Sequence, residues 1–103
     1  MAQPIDKQKV YDYLTTIPLG KVVTYGQIAE FLGSQKFSRA VGSILHQNPD
    51  GDKYPCYKVV NAKGQLSANY AFGGVTAQRS RLMRDGIQVE NDRVDLDIYQ
   101  HCK

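Results

Sequence analysis

Apolar residues recur at helical spacing near the start of the chain and predict a first helix over residues 5–17. Its apolar face consists of Val10, Tyr13, Leu14 and Ile17. Pro18 and Gly20 follow at once and are expected to end the helix, because proline cannot continue one. Residues 21–23 are rich in β-branched side chains, which favours a short extended segment.

Two shorter amphipathic helices joined by a glycine are predicted next. Thr24 and Gln27 have the spacing of a capping box at the start of the first, and Gly33 suits the left-handed position after its end. The second is predicted over residues 34–47, and Asn48-Pro49 stops it. Its apolar stripe consists of Phe37, Val41, Ile44 and Leu45, and that of the first helix of Ile28, Ala29, Phe31 and Leu32. This pattern is typical of a helix-turn-helix, although a generic αα-hairpin also has it.

The exposed face of the second helix carries cations around a glycine. Lys36, Arg39, Gly42, Ser43 and His46 fall together, opposite the apolar stripe. Glycine inside a helix costs about 1 kcal/mol relative to alanine, and close approach of another backbone or a DNA duplex would be a reason to keep it. The face therefore suits a groove of DNA, while a solvated face with one weak position is the alternative.

The second half of the chain is predicted to hold a hairpin, a loop and a last helix. The hairpin spans residues 57–67, with Gly64 at the position in its turn that needs positive φ. Residues 70–74 form an aromatic, glycine-rich loop. Thr76 is expected to cap a helix that reaches about Asp85.

The last helix is expected to direct Leu82 and Met83 inward and to close at Gly86. The alternation after it, around Asn91-Asp92, predicts a short terminal hairpin or an extended tail. The elements together predict one domain over residues 1–103, mainly α with a small β-hairpin, of the winged helix-turn-helix class.

Composition and charge restrict the function only loosely. The sequence has 103 residues, is 42% hydrophobic and 22% charged, and carries a net charge of +3. A mildly basic balance permits nucleic-acid binding without requiring it. No apolar run is long enough to cross a membrane and the N-terminus has no apolar signal core, so we expect a cytoplasmic protein, near the nucleoid if bacterial, without a membrane partner.

The cysteines and histidines do not predict a metal or a cofactor. Cys56 and Cys102 are interpreted as free thiols, because a reducing compartment disfavours a disulfide between them. His46 and His101 have no ligand spacing to either cysteine, so the sequence does not predict a structural zinc site.

Three motifs in order carry a resemblance to a known family. Ser38-Arg39-Ala40-Val41-Gly42 is followed by Asn48-Pro49 and then by Pro55-Cys56, and a run of valines comes next. The arrangement resembles the DNA-binding domain of the O6-alkylguanine-DNA alkyltransferases, in which a cysteine takes the alkyl group from a flipped-out guanine. The resemblance covers about residues 17–86.

The resemblance implies a role for several residues. Tyr25 would contact and rotate the phosphate beside the target nucleotide, and Arg39 would fill the gap left by the extruded base. Asn48 would brace the turn that carries Cys56, the alkyl acceptor. The exposed face of the second helix adds Lys36, Gly42 and Ser43 as predicted DNA-binding residues, and the remaining pocket residues would be Pro55, Val59, Tyr70, Phe72, Gly73 and Gly74.

One departure from the family bears on the chemistry. The family's Pro-Cys-His-Arg-Val reads Pro-Cys-Tyr-Lys-Val here, so Tyr57 replaces the histidine that draws the proton from the thiol. Tyrosine, with a pKa near 10, is a donor at neutral pH rather than a base. Asp85 stands in place of the family's glutamate, on a shorter side chain. Lys58, if its ammonium turns inward, or a helix N-terminus would remain to stabilise a thiolate.

The leading hypothesis is a DNA-repair enzyme that binds duplex DNA as a monomer, flips O6-alkylguanine and transfers the alkyl group irreversibly to Cys56, without a cofactor. The second is a non-enzymatic sensor that binds the same base and recruits a repair protein. In size the chain resembles such alkyltransferase-like proteins, although it keeps the cysteine that most of them replace. A plain winged-helix transcription factor is the third, but it leaves Pro55-Cys56 and the loop at 70–74 unexplained.

Overall fold

A computed structural model describes residues 6–67, 70 and 72–101. The helices are α1 (Lys7–Leu14), α2 (Tyr25–Phe31), α3 (Ser38–His46), α4 (Gly74–Arg84) and α5 (Leu96–Tyr99). The strands are β1 (Val23–Thr24), β2 (Val59–Val60), β3 (Val89–Glu90) and β4 (Arg93–Val94). Short 3₁₀ helices cover Gln35–Phe37 and Cys56–Lys58.

Helix α1 packs its apolar face into the core but ends earlier than its pattern predicts. Val10 and Leu14 are fully buried, and Ile17 is buried beyond the helix end. The hydroxyls of Thr15 and Thr16 donate to carbonyls of the last helical turn, at 2.7 Å each. These bonds compete with helix continuation, and Pro18 prevents it.

The helix-turn-helix segment forms largely as predicted. The hydroxyl of Thr24 accepts from the amide of Gln27 at 3.1 Å, and the Gln27 side chain accepts from the amide of Thr24 at 2.9 Å, which completes the capping box. Gly33 has a φ of 120°. Helix α3 packs against α1 and α2, and it starts at Ser38 because the preceding residues form a 3₁₀ turn.

A short parallel pairing joins the two halves of the chain. Val23 pairs with Val59 and Thr24 with Val60. The predicted hairpin over residues 57–67 is therefore wrong in its pairing, although its turn forms with Gly64 at a φ of 82°. The physical reason is burial, because the strand valines are at most 1% exposed and a strand covered on both faces suits a parallel partner.

The antiparallel hairpin lies further along the chain. Strands β3 and β4 pair around Asn91 and Asp92, whose φ values of 53° and 57° suit a tight hairpin turn. The terminal-hairpin alternative is thus confirmed, and so is a mainly helical fold with small strands. Helix α5 was not predicted. The segment that follows it closes on the edge of the β1 region, where the amide of His101 donates to the carbonyl of Val22 at 2.7 Å.

Helix α4 differs from its prediction at its start and on one face. It begins at Gly74 after Gly73, whose φ of 125° directs the chain into the helix, so Thr76 is not its cap. Leu82 is fully buried, but Met83 is exposed, as is Phe31 at the end of α2. Among the described residues, no helix is both long and apolar enough to cross a membrane.

The turn glycines provide a test of the fold. An added Cβ at Gly64 would lie 2.2 Å from the carbonyl oxygen of Val94, whereas one at Gly33 would meet no described atom within 4 Å. Both residues have positive φ, so each change to alanine should cost about 1–3 kcal/mol of unfolding free energy. Gly64→Ala should cost about 1–3 kcal/mol more, since the Val94 carbonyl must move. Urea unfolding of both variants measures the difference, and equal losses would contradict the contact.

Candidate nucleic-acid interface

A cavity of about 580 Å³ lies between α3 and the turn that carries Cys56. The predicted site residues in its lining are Tyr25, Arg39, Gly42, Ser43, Cys56, Val59 and Tyr70. The residues that sequence reasoning had not assigned to the site are Ser38, Leu45, His46, Gln47, Ser67 and Gln78. Residues that are far apart in sequence therefore meet around one space, with the helix on one side and the thiol on another.

The sequence held a signal for some of the missed residues. His46 lies on the predicted exposed face of α3. Gln78 falls four residues before Leu82, on the buried stripe of α4, and is only 1% exposed. A polar residue at such a position indicates a hydrogen-bonding role, because a buried amide without partners is costly.

The other predicted site residues lie outside the cavity lining. Lys36 is exposed on the 3₁₀ turn that precedes α3, and Pro55 precedes the thiol. In the predicted loop, Phe72 is half-exposed with its ring edge-on to Tyr70, at 5.8 Å between centroids. Gly73 and Gly74 start α4 instead of facing the cavity. Ala71 of the same loop lies outside the described residues.

The outer face of α3 is cationic with a notch at its centre. Arg39, Ser43 and His46 are exposed along it. An added Cβ at Gly42 would meet no described atom of the chain within 4 Å, so this glycine leaves an opening on the cavity side. A face of this kind presents donors and positive charge to an anionic backbone.

Asn48 holds the turn in front of the thiol. Its side-chain amide donates to the carbonyl of Tyr54 at 2.7 Å, and its side-chain oxygen accepts from the amide of Asp50 at 3.0 Å. The amide of Cys56 donates to the same Tyr54 carbonyl at 2.7 Å. One carbonyl thus ties the end of α3 to the residue that carries the thiol.

The Cys56 thiol is buried and stays protonated at neutral pH. Burial raises its pKa above the ordinary value, and this effect exceeds the lowering by the hydrogen bond to Asn48, the cysteine's own amide and the charge of Arg81. The thiol is free, while Cys102 lies outside the described residues. A buried thiol with a raised pKa is a weak nucleophile, because the thiolate is the reactive form.

The hydroxyl of Tyr57 is a hydrogen-bond donor to Asp85. Its hydroxyl donates to a carboxylate oxygen of Asp85 at 2.5 Å, and the guanidinium carbon of Arg81 lies 4.6 Å from its ring centroid. Burial, followed by the bond to Asp85 and its negative charge, raises the pKa of Tyr57. The pair therefore does not supply a base for the thiol at neutral pH.

Lys58 turns inward, but it does not end on the thiol. Its ammonium donates to the carbonyl of Ile17 at 3.0 Å, and the residue is buried. Burial lowers its pKa, while the charge of Asp85 acts in the opposite direction. Arg81 is the positive charge that acts on Cys56, and its guanidinium also pairs with Asp52 at 3.2 Å.

The described residues contain no group of three or more His, Cys, Asp or Glu side chains that could hold a metal ion. The polar lining of the cavity in this part of the chain includes the side chains of Arg39 and His46, two tyrosines, the amides of Gln47 and Gln78 and the Cys56 thiol.

Comparison with known proteins agrees with this geometry. The bifunctional methyltransferase/endonuclease of Picrophilus torridus is 42% identical over 91 residues, which are 88% of this chain but only 30% of that protein. Alkyltransferase-like protein 1 of Schizosaccharomyces pombe is 37% identical over 82 residues, which are 79% of this chain and 75% of that protein.

Among solved structures, Schizosaccharomyces pombe Atl1 in complex with damaged DNA containing O6-carboxymethylguanine superposes over 100% of both chains, with a TM-score of 0.87 and 29% identity. Residues 6–87 match the family described as 6-O-methylguanine DNA methyltransferase, DNA binding domain. The resemblance seen in the sequence is thus confirmed, and the chain belongs to this family of DNA-binding domains.

Proposed function

We propose that this protein binds duplex DNA, takes an extrahelical O6-alkylguanine into the cavity and holds it at neutral pH without removing the alkyl group. The observation that carries the proposal is the bond from Tyr57 to Asp85, at 2.5 Å, directly after a buried thiol in the cavity wall. The cavity offers a place for the alkylguanine, and Tyr57, the residue next to Cys56, gives the thiol no proton acceptor.

The face of α3 is the proposed contact with DNA. Arg39 lies at the cavity and is exposed, so its guanidinium can enter the stack where a base has left it. The exposed side chains of Ser43, on α3, and of Lys36, on the turn before it, would contact phosphates, and Gly42 leaves room for the duplex. Extrusion of a base costs a few kcal/mol and least for a damaged pair, which itself favours alkylguanine.

The walls of the cavity are the proposed seat of the base. Tyr25 stands at the start of α2, where its hydroxyl bonds to Ser67 and can turn towards a phosphate. Tyr70 offers an aromatic face, and Val59 an apolar contact, beside the thiol. Asn48 would keep the Cys56 turn in place when the base enters.

Slow transfer of the alkyl group to Cys56 is the second candidate, because Cys56 lines the cavity and Arg81 acts to lower its pKa. In that reaction the thiolate sulfur bonds to the alkyl carbon, the bond from that carbon to O6 breaks, and the guanine leaves with the electron pair and takes up a proton. No cofactor enters this step. Its requirement is a thiolate, which the burial of Cys56 disfavours.

Arg39→Ala tests the contact with DNA. We expect the preference for O6-methylguanine duplex over plain duplex to fall about tenfold or more, since the guanidinium offsets part of an extrusion cost of a few kcal/mol. Fluorescence-anisotropy titrations measure the two affinities. Arg84→Ala, which removes an exposed arginine at the end of α4, is the matched control and should keep the preference. An unchanged ratio for Arg39→Ala would contradict the role.

Replacement of Tyr57 tests whether the residue next to Cys56 limits the reaction because it cannot accept the thiol proton. Wild type should bind O6-methylguanine duplex tightly at neutral pH. Mass spectrometry after this incubation should show little gain of methyl mass. Any gain should increase as pH rises towards the thiol pKa, because the thiolate fraction then grows. Tyr57→His should speed methyl gain by about 10²–10⁴-fold, since a histidine held by Asp85 can accept the thiol proton.

Two controls separate binding from chemistry in that experiment. Tyr57→Phe removes the hydroxyl without adding a base, so it should gain no more methyl than wild type. Cys56→Ala should bind the damaged duplex and never gain a methyl mass. Rapid, complete methylation of wild type at neutral pH would overturn the binder proposal in favour of the transferase.

A further inference from the structure

We infer that Gln78 is the positioning residue of the cavity floor, which we define as residues 56–59. By fixing the carbonyls of Tyr57 and Val59, its side-chain amide sets where Cys56 meets the base. This inference rests on the proposed function and assigns a residue to it that lies on α4, away from the cationic helix.

The contacts of Gln78 account for its whole amide. Its side-chain nitrogen donates to the carbonyl of Tyr57 at 2.9 Å and to the carbonyl of Val59 at 3.0 Å. Its side-chain oxygen accepts from the backbone amide of Ser67 at 2.8 Å. The residue is 1% exposed and lines the cavity. Both amide protons are therefore committed to the floor.

The floor needs an outside donor because its own secondary structure is short. In the 3₁₀ turn of residues 56–58, the carbonyl of Cys56 accepts from the amide of Val59. The carbonyls of Tyr57 and Val59 come at the end of that turn and in a strand of only two residues. A buried carbonyl without a partner costs free energy, and one amide here satisfies both.

The geometry of that amide also restrains the floor. Its two protons diverge from one nitrogen, so the carbonyls on either side of Lys58 are held at a fixed separation. The bond from Ser67 connects the same amide to another wall of the cavity. Gln78 thus joins the thiol segment, α4 and the Ser67 segment at one point.

Three variants test the inference, each with a different residue in place of Gln78. All are made in a Cys102→Ser background so that Cys56 is the one thiol. Gln78→Met removes both donor and acceptor at similar size. Gln78→Glu keeps an acceptor for Ser67 but replaces the two donor protons of the amide with at most one, so it cannot donate to both carbonyls. Gln78→Lys keeps donors for the carbonyls but cannot accept from Ser67. Gln8→Glu, on the exposed side of α1, is the matched control.

Two readouts are measured for each variant. The first is the affinity ratio of O6-methylguanine duplex to plain duplex. The second is the rate at which iodoacetamide modifies Cys56, followed from neutral pH to about pH 9, the range in which an ordinary thiol ionises.

We expect Gln78→Met and Gln78→Glu to lower the affinity ratio about tenfold, as loss of buried hydrogen bonds predicts, and to speed modification of Cys56 as the floor loosens. Gln78→Lys should retain most of the ratio, and Gln8→Glu all of it.

The outcomes separate this inference from the proposed function. Wild type without any preference for alkylated duplex would overturn the proposed function. Wild type with that preference, together with Gln78→Met or Gln78→Glu at the wild-type ratio and thiol rate, would overturn the inference. Retention by Gln78→Glu and loss by Gln78→Lys would also overturn it, because the anchor to Ser67 would then be the important contact.

A measurement on the unaltered chain covers variants that fail to fold. Nuclear magnetic resonance should show the Gln78 side-chain amide protons protected from exchange. Their shifts should change when O6-methylguanine duplex is added and much less with plain duplex. Rapid exchange of those protons would contradict their role in the floor.

Discussion

The pairing of Val23 with Val59 is the constraint on which the site depends. This parallel contact fixes the start of α2 beside the segment that begins with Cys56. Tyr25 follows directly after β1, and Cys56 lies three residues before the start of β2, so one short pairing sets the distance between them. The strands are buried, and their burial stabilises a contact that two residues on each side could not hold by hydrogen bonds alone.

Around that pairing, hydrogen bonds fix the position of the thiol, and its burial and neighbours set its reactivity. Asn48 and the Tyr54 carbonyl hold the turn from the side of α3, and Gln78 holds the carbonyls that follow from the side of α4. The contacts that position the thiol do not activate it. The same burial that defines the pocket raises the pKa of Cys56, and the Tyr57 hydroxyl donates a hydrogen bond to Asp85 and accepts no proton from the thiol. These contacts support the proposal that the protein holds the alkylguanine without reacting with it.

Local signals explain what the sequence could predict. The capping box at Thr24 and Gln27 needs contacts only three residues apart, and the Asn48-Pro49 stop acts on the helix that precedes it. The chemistry around Cys56 depends on contacts between residues that are far apart in sequence. Two adjacent valines suit a hairpin as well as a buried parallel strand, and only burial on both faces decides between them. Tyr57 and Asp85 lie 28 residues apart in sequence. The position of Gln78 on a buried stripe indicates a hydrogen-bonded side chain, but the sequence does not identify the two carbonyls that it contacts.

A crystal structure of the protein with a duplex that contains O6-methylguanine, prepared at neutral pH, distinguishes binding of the alkylated base from alkyl transfer. We expect the alkylated base outside the helix and in the cavity, with Arg39 in the vacated stack. We also expect the methyl group to remain on O6 and the Cys56 sulfur to be unmodified. A base still stacked in the duplex, or a methyl group on the sulfur, would contradict it.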